Sequence, residues 1–271
     1  MFNLVNPYLK YLMPWREGWL LKQFVMRQLR LKYRGFVIGI GWSLLTPLFQ
    51  LCIYVFVFKY ALRLRWTGSN VSEFDFALLL FTGLTIFSLF SECVTISSIL
   101  LLKEPNLIKK VRFPIEILNW ATFISASVSF LISTALLLLA CLISGIPISA
   151  SWFALPLIFL PLVPLILGCS WFFSSTGVYV RDLKQILDVI LPLLQFVSPI
   201  FYPVDALPPK LQPILFLNPL TLIIEQSRSA IFYGQWPDLI SWTIEMTICS
   251  VIAIWGAIIH SRLSKGFADV I

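Results

Sequence analysis

The chain has 271 residues, of which 59% are hydrophobic and 12% charged, with 23 Phe, 10 Trp and a formal net charge of +7. A soluble domain carries about 25% charged residues, so too little polar side chain is present to cover a water-facing surface. The mean hydropathy of +0.89 excludes an ordinary soluble enzyme and points to lipid as the main solvent.

The first predicted element is amphipathic. Residues 18–35, "GWLLKQFVMRQLRLKYRG", place Gln23, Arg27, Arg30 and Arg34 on one helical stripe, with Leu20, Leu21, Phe24 and Val25 off it. Such a helix lies in the membrane surface with its cations at the headgroups. It is either a plain interfacial anchor or a lever joined to the first span. The preceding "MFNLVNPYLKYLMPWREGW" lacks the basic start, apolar stretch and small-residue cleavage site of a signal peptide.

Six continuous apolar runs follow, at about 36–61, 76–102, 115–144, 152–180, 185–203 and 239–261. About 20 helical residues cross a hydrocarbon core of roughly 30 Å, and the runs do not alternate as barrel strands do. The predicted fold is an all-α polytopic membrane protein with six transmembrane helices. Six spans put both termini on one face. Fifteen of the 20 basic residues lie on that face, including Lys103, Lys109, Lys110, Arg112, Arg181 and Lys184. The positive-inside rule makes it cytoplasmic. The net charge follows from this asymmetry and from anionic lipid, not from nucleic acid.

Between the second and third runs lies "KEPNLIKKVRFP", residues 103–114. Pro105 suits the first turn of a helix and Glu104 the positive end of its dipole. Lys109, Lys110 and Arg112 suit the negative end, and Pro114 turns Phe113 away from helical angles. Leu107, Ile108 and Val111 gather on one side. A helix of about two turns is not stable alone in water, so it docks on something. The alternatives are a headgroup-bound loop and a plug for a soluble partner.

Residues 204–238 hold Pro208, Pro209, Pro213, Pro219 and Pro237 between short apolar pieces. Short re-entrant external helices between spans five and six fit this pattern. Glu225 and Arg228 are spaced to pair. Glu92 and Glu245 lie inside spans, where charge is costly. They are read as hydrogen-bonding Ser or Thr on neighbouring helices; an ion site is the rival. His260, the only His, is read as a headgroup contact. Cys52, Cys93, Cys141, Cys169 and Cys249 fall in spans at no metal-like spacing and read as packing residues. Gly35 and Gly39 permit close helix approach, and "NVS" at 70–72 matches a glycosylation acceptor. No G-x-x-x-x-G-K-[ST] phosphate loop is present; "GFVIGIGW" has no Lys.

"LIKKVRFP" followed by "IEIL" resembles the coupling helix of the ABC-2 family of exporter permeases, in the branch that exports O-antigen, capsule and teichoic-acid polymers. "YRGFVIGIGWSLLTPLFQLCIYVFVF" (33–58), "VYVRDLKQIL" (178–187), "SPIFYP" (198–203) and "NPLTLIIEQSR" (218–228) resemble other stretches of that branch, in its order. The resemblance implies a permease that is not itself an enzyme. It would form a homodimer with a second copy and join two ATP-binding cassette subunits, which hold ATP and Mg; the chain carries no cofactor. It implies a lipid-linked polysaccharide substrate and a bacterial inner membrane. Residues 1–35 would be a cytoplasmic segment and 36–271 the transmembrane domain. Glu104, Pro105, Asn106, Leu107, Ile108, Lys109, Lys110, Arg112 and Phe113 would couple to the ATPase. Arg27, Arg30, Tyr33 and Arg34 would gate the entrance. Trp42, Phe49, Tyr54, Phe196, Phe201 and Tyr202 would line a channel whose aromatic walls suit the apolar faces of sugar rings. Within the family, an exporter of teichoic acid or of a smaller lipid or drug is the alternative; outside it, an ion-coupled secondary transporter and a membrane glycosyltransferase are the rivals. The first needs Glu92 or Glu245 to titrate with transport; the second needs a catalytic acid and metal site that the sequence does not show.

Overall fold

A computed structural model describes residues 11, 14–33, 41–57, 73–110, 113–204, 207–210 and 212–270. All regular structure among them is helical. A 3-10 turn at Pro14–Glu17 leads into α1 (Gly18–Tyr33), followed by α2 (Trp42–Val55), α3 (Glu73–Leu100) and the short α4 (Pro105–Lys110). Then come α5 (Glu116–Ile143), a 3-10 turn at Ala150–Ala154, α6 (Leu155–Phe159), α7 (Leu162–Tyr179) and α8 (Leu183–Val197). The chain continues through α9 (Gln212–Leu215), α10 (Pro219–Phe232), α11 (Leu239–Leu263), a 3-10 turn at Ser264–Gly266 and α12 (Phe267–Val270).

Four stretches are long and apolar enough to cross a membrane: Asp75–Leu100, Glu116–Ile143, Ala150–Tyr179 and Leu239–Gly266. The protein is therefore a multi-pass helical membrane protein. The first and fifth expected spans correspond to shorter helices, α2 with 14 residues and α8 with 15. Residues 34–40 and 58–72, which flank α2, lie outside the described residues, as do Arg34, Gly35, Gly39 and the 70–72 acceptor.

Prolines explain the departures from unbroken spans. α8 stops at Val197 because Ser198, just before Pro199, takes extended angles (φ −69°, ψ 144°), as a pre-proline residue prefers. The run at 152–180 divides at Leu160–Pro161, between α6 and α7. Side chains cap the starts of α10 and α11, whereas Asp182 ahead of α8 makes no capping bond. Asn218 accepts from the Leu220 N–H at 3.1 Å, with Pro219 in the first turn. Asp238 accepts from the Ser241 N–H at 3.0 Å and its hydroxyl at 2.6 Å. These bonds, the hydroxyl's first, hold the Asp238 carboxyl below the usual carboxylate range.

α3 is the central helix, flanked by α5 and α7, and α7 packs along α11. That last approach rests on glycine: a Cβ on Gly168 would lie 2.7 Å from the Ala253 backbone, and Gly256 faces Gly168 in turn. Small residues at such a crossing let the backbones pack closely where lipid offers no hydrophobic drive. Cys93, Cys141 and Cys249 are buried packing residues; Cys169 is half-buried and Cys52 exposed.

His260 corrects the sequence expectation. It is 1% exposed, shares a 2.9 Å hydrogen bond with the Tyr11 hydroxyl, and meets the Tyr11 and Phe267 rings edge-on. It joins the two ends of the described chain inside the protein and does not face headgroups. Tyr11 in turn stands edge-on to Trp171 at 5.1 Å.

Candidate functional site

α4 forms where the sequence places it. Pro105 opens it, the Leu107 N–H bonds the Glu104 carbonyl at 3.1 Å, and Phe113 and Pro114 leave the helix. Its own chain supplies its dock. Phe24, Leu100, Leu101, Leu118, Ala121, Val178 and Phe267 form a buried cluster, and Leu107 and Phe113 pack against it. The Phe113 ring lies 5.2 Å from that of Phe24. Thus α1, the ends of α3, α5 and α7, and the C-terminal α12 together form a platform under α4. Asn106 and Lys103 face outward. The side chains of Ile108, Lys109 and Lys110, and all of Val111 and Arg112, lie outside the described residues.

The platform is tied to α4 by charge as well. Arg27 of α1 forms an ion pair with Glu104, just ahead of α4. The Arg27 guanidinium also lies 5.0 Å above the Phe24 ring. With Arg27 44% exposed, solvent screening limits what the pair adds to stability; its value is in fixing α4 relative to α1. Arg27→Glu is expected to weaken coupled transport severalfold with little change in thermal stability, and Glu104→Arg in the same chain is expected to restore it. A double variant no better than the single one would show that the pair positions nothing. Arg30 is exposed beside Arg27 along the outer face of α1. The Tyr33 side chain lies outside the described residues.

α1 is more deeply engaged than an interfacial anchor. Leu21, Phe24, Val25, Gln28 and Lys32 form one inward row. Gln28 donates to the Thr122 hydroxyl at 3.1 Å. Lys32 pairs with Glu92 at 2.6 Å and donates to the Ser129 hydroxyl at 3.0 Å. Glu92, expected to bond only hydroxyls, thus has a cation beside it. The signal was the 21–24–28–32 spacing, in which two polar residues continue an apolar row. Glu245 is 1% exposed, and no described Ser or Thr hydroxyl bonds its carboxylate.

The channel candidates divide between the two shorter helices. Trp42 and Phe49 are exposed on α2, beside Leu44, Leu48 and Ile53, while Tyr54 is half-buried. On α8, Leu183, Leu187 and Leu191 face inward; Ile186, Val189, Ile190, Leu193 and Phe196 face out. Phe196 stacks on Phe201 at 5.1 Å. Tyr202 donates to the Val197 carbonyl at 2.9 Å, folding the "SPIFYP" turn back over the helix end.

The segment between α8 and α11 contains a feature that composition does not reveal. Arg228 of α10, expected to pair with Glu225, does so at 2.9 Å. It also donates to the carbonyls of Leu79 (3.1 Å), Pro199 (2.7 Å) and Ile200 (2.7 Å). One fully buried guanidinium therefore joins α10, α3 and the turn after α8.

Comparison with known proteins agrees with this architecture. The ABC-2 type transporter family matches residues 20–232, from α1 to the end of α10. An O-antigen export system permease protein RfbA of Klebsiella pneumoniae is 26% identical over 264 residues, 96% of this chain and 98% of the relative. RfbA of Myxococcus xanthus is 27% identical over 261 residues, 93% and 95% of the two chains. The polysialic acid transport protein KpsM of Escherichia coli is 23% identical over 211 residues, 77% and 80% of the two. The family match spans well over half of the sequence and takes in α4, the parts of its platform on α1, α3, α5 and α7, and the Arg228 junction: the chain belongs to the ABC-2 type transporter family.

Proposed function

We propose that the chain is the membrane permease subunit of an exporter of lipid-linked, O-antigen-like polysaccharide across a bacterial inner membrane. The observation that carries this reading is the end-to-end likeness to O-antigen export permeases, 96% of this chain in one case and 93% in another. Two copies of the chain would join two ATP-binding subunits, which bind ATP and Mg and hydrolyse the nucleotide. The outward apolar faces of α2 and α8 would meet the second copy and the polymer. Residues 103–114 would rest on the ATPase, and nucleotide-driven closure would pass through the α4 platform to α1 and α3. The basic residues support cytoplasmic termini and a cytoplasmic α4. α9 and α10 would be the re-entrant pieces at the external mouth. A cargo of the polysialic type is the second reading, on the likeness to KpsM.

Depleting the chain in its native host tests the cargo. Surface polysaccharide is expected to disappear while lipid-linked polymer accumulates on the cytoplasmic side. Unchanged surface polymer, with a different lipid retained inside, would overturn the assignment.

A further inference from the structure

A groove of about 610 Å³ follows the seam between α7 and α11. Tyr11, Leu167, Trp171, Ala253 and Ala257 form one buried cluster along it. Ala253 and Ala257 keep that side of the groove low, since neither side chain extends past its Cβ. Trp120 of α5 and Trp15 add to its walls. The start of the described chain is pinned there: the Trp120 indole N–H donates to the Tyr11 carbonyl at 2.8 Å, and the Tyr11 hydroxyl shares its bond with His260. The groove is thus built from separated parts of the chain and is more than the lipid-facing side of one helix.

Three details say what fits it. First, its surface is almost wholly hydrocarbon. The Ser250 hydroxyl, which lines it, is taken by the Met246 carbonyl at 2.7 Å, and the Trp120 N–H by Tyr11. The Trp171 indole N–H has no partner among the described residues, but it is buried and opens on no surface. A ligand rich in hydroxyls would leave its bonds to water here and find none in exchange. Second, the length is that of one leaflet. Met246 and Ile258 both line the groove and lie ~18 Å apart along α11 at 1.5 Å per residue. Half of a hydrocarbon core of roughly 30 Å is about 15 Å deep, so a partner helix that crossed the membrane would overrun the groove. Third, charge stands at one end. Ile254, Ile258 and Arg262 are four residues apart on α11 and share a face. Arg262 therefore lies ~6 Å beyond Ile258. It is exposed, and no described group pairs with it. Arg16, also exposed, follows Trp15. A cation just past the end of an apolar groove suits an anionic headgroup above a hydrocarbon tail.

We propose that this groove binds one anionic phospholipid of the surrounding bilayer, with an acyl chain laid along α7 and α11 and its phosphate on Arg262. The lipid would brace the Tyr11–Trp15 region against α11, and with it the start of α1 at Gly18. The inference is independent of the exported cargo.

The test uses the full-length chain with its associated subunits, stripped of lipid in mild detergent. The probes are dioleoyl phosphatidylglycerol and dioleoyl phosphatidylcholine, which share their acyl chains. The readouts are lipids bound per chain by native mass spectrometry, and melting temperature. Wild type is expected to bind one phosphatidylglycerol per chain ahead of any other lipid, and to melt about 5 °C higher at saturation. Arg262→Gln should raise the half-saturating phosphatidylglycerol concentration about fivefold and leave that for phosphatidylcholine unchanged. Ile254→Trp fills the groove from an exposed position; it should weaken both lipids and leave the lipid-free melting temperature level. Lys22→Gln, which removes an exposed cation of α1 outside the groove, should change neither. Half-saturation by phosphatidylglycerol that is the same in wild type, Arg262→Gln and Ile254→Trp would overturn the site. Phosphatidylcholine binding to wild type as tightly as phosphatidylglycerol would overturn the anionic headgroup. A changed number of chains per complex in Ile254→Trp would make the groove a contact between chains. Displacement of bound phosphatidylglycerol by lipid-linked polysaccharide would give the groove to the cargo. Either result would end the proposal.

Discussion

Replacing Arg228 with alanine is expected to cost the protein several kcal/mol and to release the segment between α8 and α11. The side chain is 2% exposed, and its guanidinium serves the carbonyls of Leu79, Pro199 and Ile200 and the Glu225 carboxylate. Removing one partner from a buried ionic group costs about 3–5 kcal/mol, because what remains is desolvated and unpaired. Three carbonyls and one half-buried carboxylate would be left in that state. Arg228→Lys should recover little, since an ammonium cannot present the planar fork that reaches three elements at once. The space is also committed: a Cβ on Gly83 would come within 3.4 Å of Nη2. The expected readouts are a large fall in melting temperature in detergent and new proteolytic cleavage within residues 204–238. An Arg228→Ala protein with the wild-type melting temperature and cleavage pattern would show that the junction is not needed to hold α10 against α3.

The second large effect is expected at Leu107. This residue is the underside of α4, packed on the cluster that contains Phe24 and Phe267. In Leu107→Asp the carboxylate must either enter that apolar cluster, at a cost of a few kcal/mol, or lift α4 away from it. Export is expected to fall roughly tenfold or more, the consequence of ~1.4 kcal/mol or more against the docked state. The spans enter this cluster only at their ends, so helical content and elution as a single species should persist, with ATP hydrolysis continuing but no longer linked to transport. Leu107→Met, which keeps volume and polarity, should behave as wild type. Leu107→Asp exporting at the wild-type rate would remove α4 from the coupling path.

Features written locally in the sequence were legible. Pro105 and Pro114 bracket α4, the 23–27–30 stripe marks the outer face of α1, and the long apolar runs mark α3, α5 and α11. The Arg228–Glu225 pair was legible because its partners are three residues apart. What was hidden depends on distant partners. Arg228 reaches Leu79 across 149 positions, Tyr11 reaches His260 across 249, and Lys32 reaches Glu92 across 60. No short-range periodicity encodes such contacts. The same limit led His260 to be read as facing headgroups, although the sequence correctly put it at a span end. The end of α8 was a different case. "SPIFYP" already carried the pre-proline signal for a stop at Val197, but an unbroken apolar run masked it.

α4 also proves to be held from within. The sequence showed a helix too short to stand alone and left its dock open. The structure places its apolar underside on the chain's own platform and turns Asn106 and Lys103 outward. In the proposed transporter a soluble subunit would meet that outer side. The apolar contacts beneath would carry its motion inward.

The most direct measurement is purification of the tagged chain from its native host in mild detergent, with subunit stoichiometry and ATP hydrolysis determined on the product. The account predicts two copies of the chain with two copies of an ATP-binding subunit, active in hydrolysis, and loss of that subunit when residues 103–114 are altered. A chain that purifies without any ATP-binding subunit, and whose transport instead follows the protonation of Glu92 or Glu245, would contradict it.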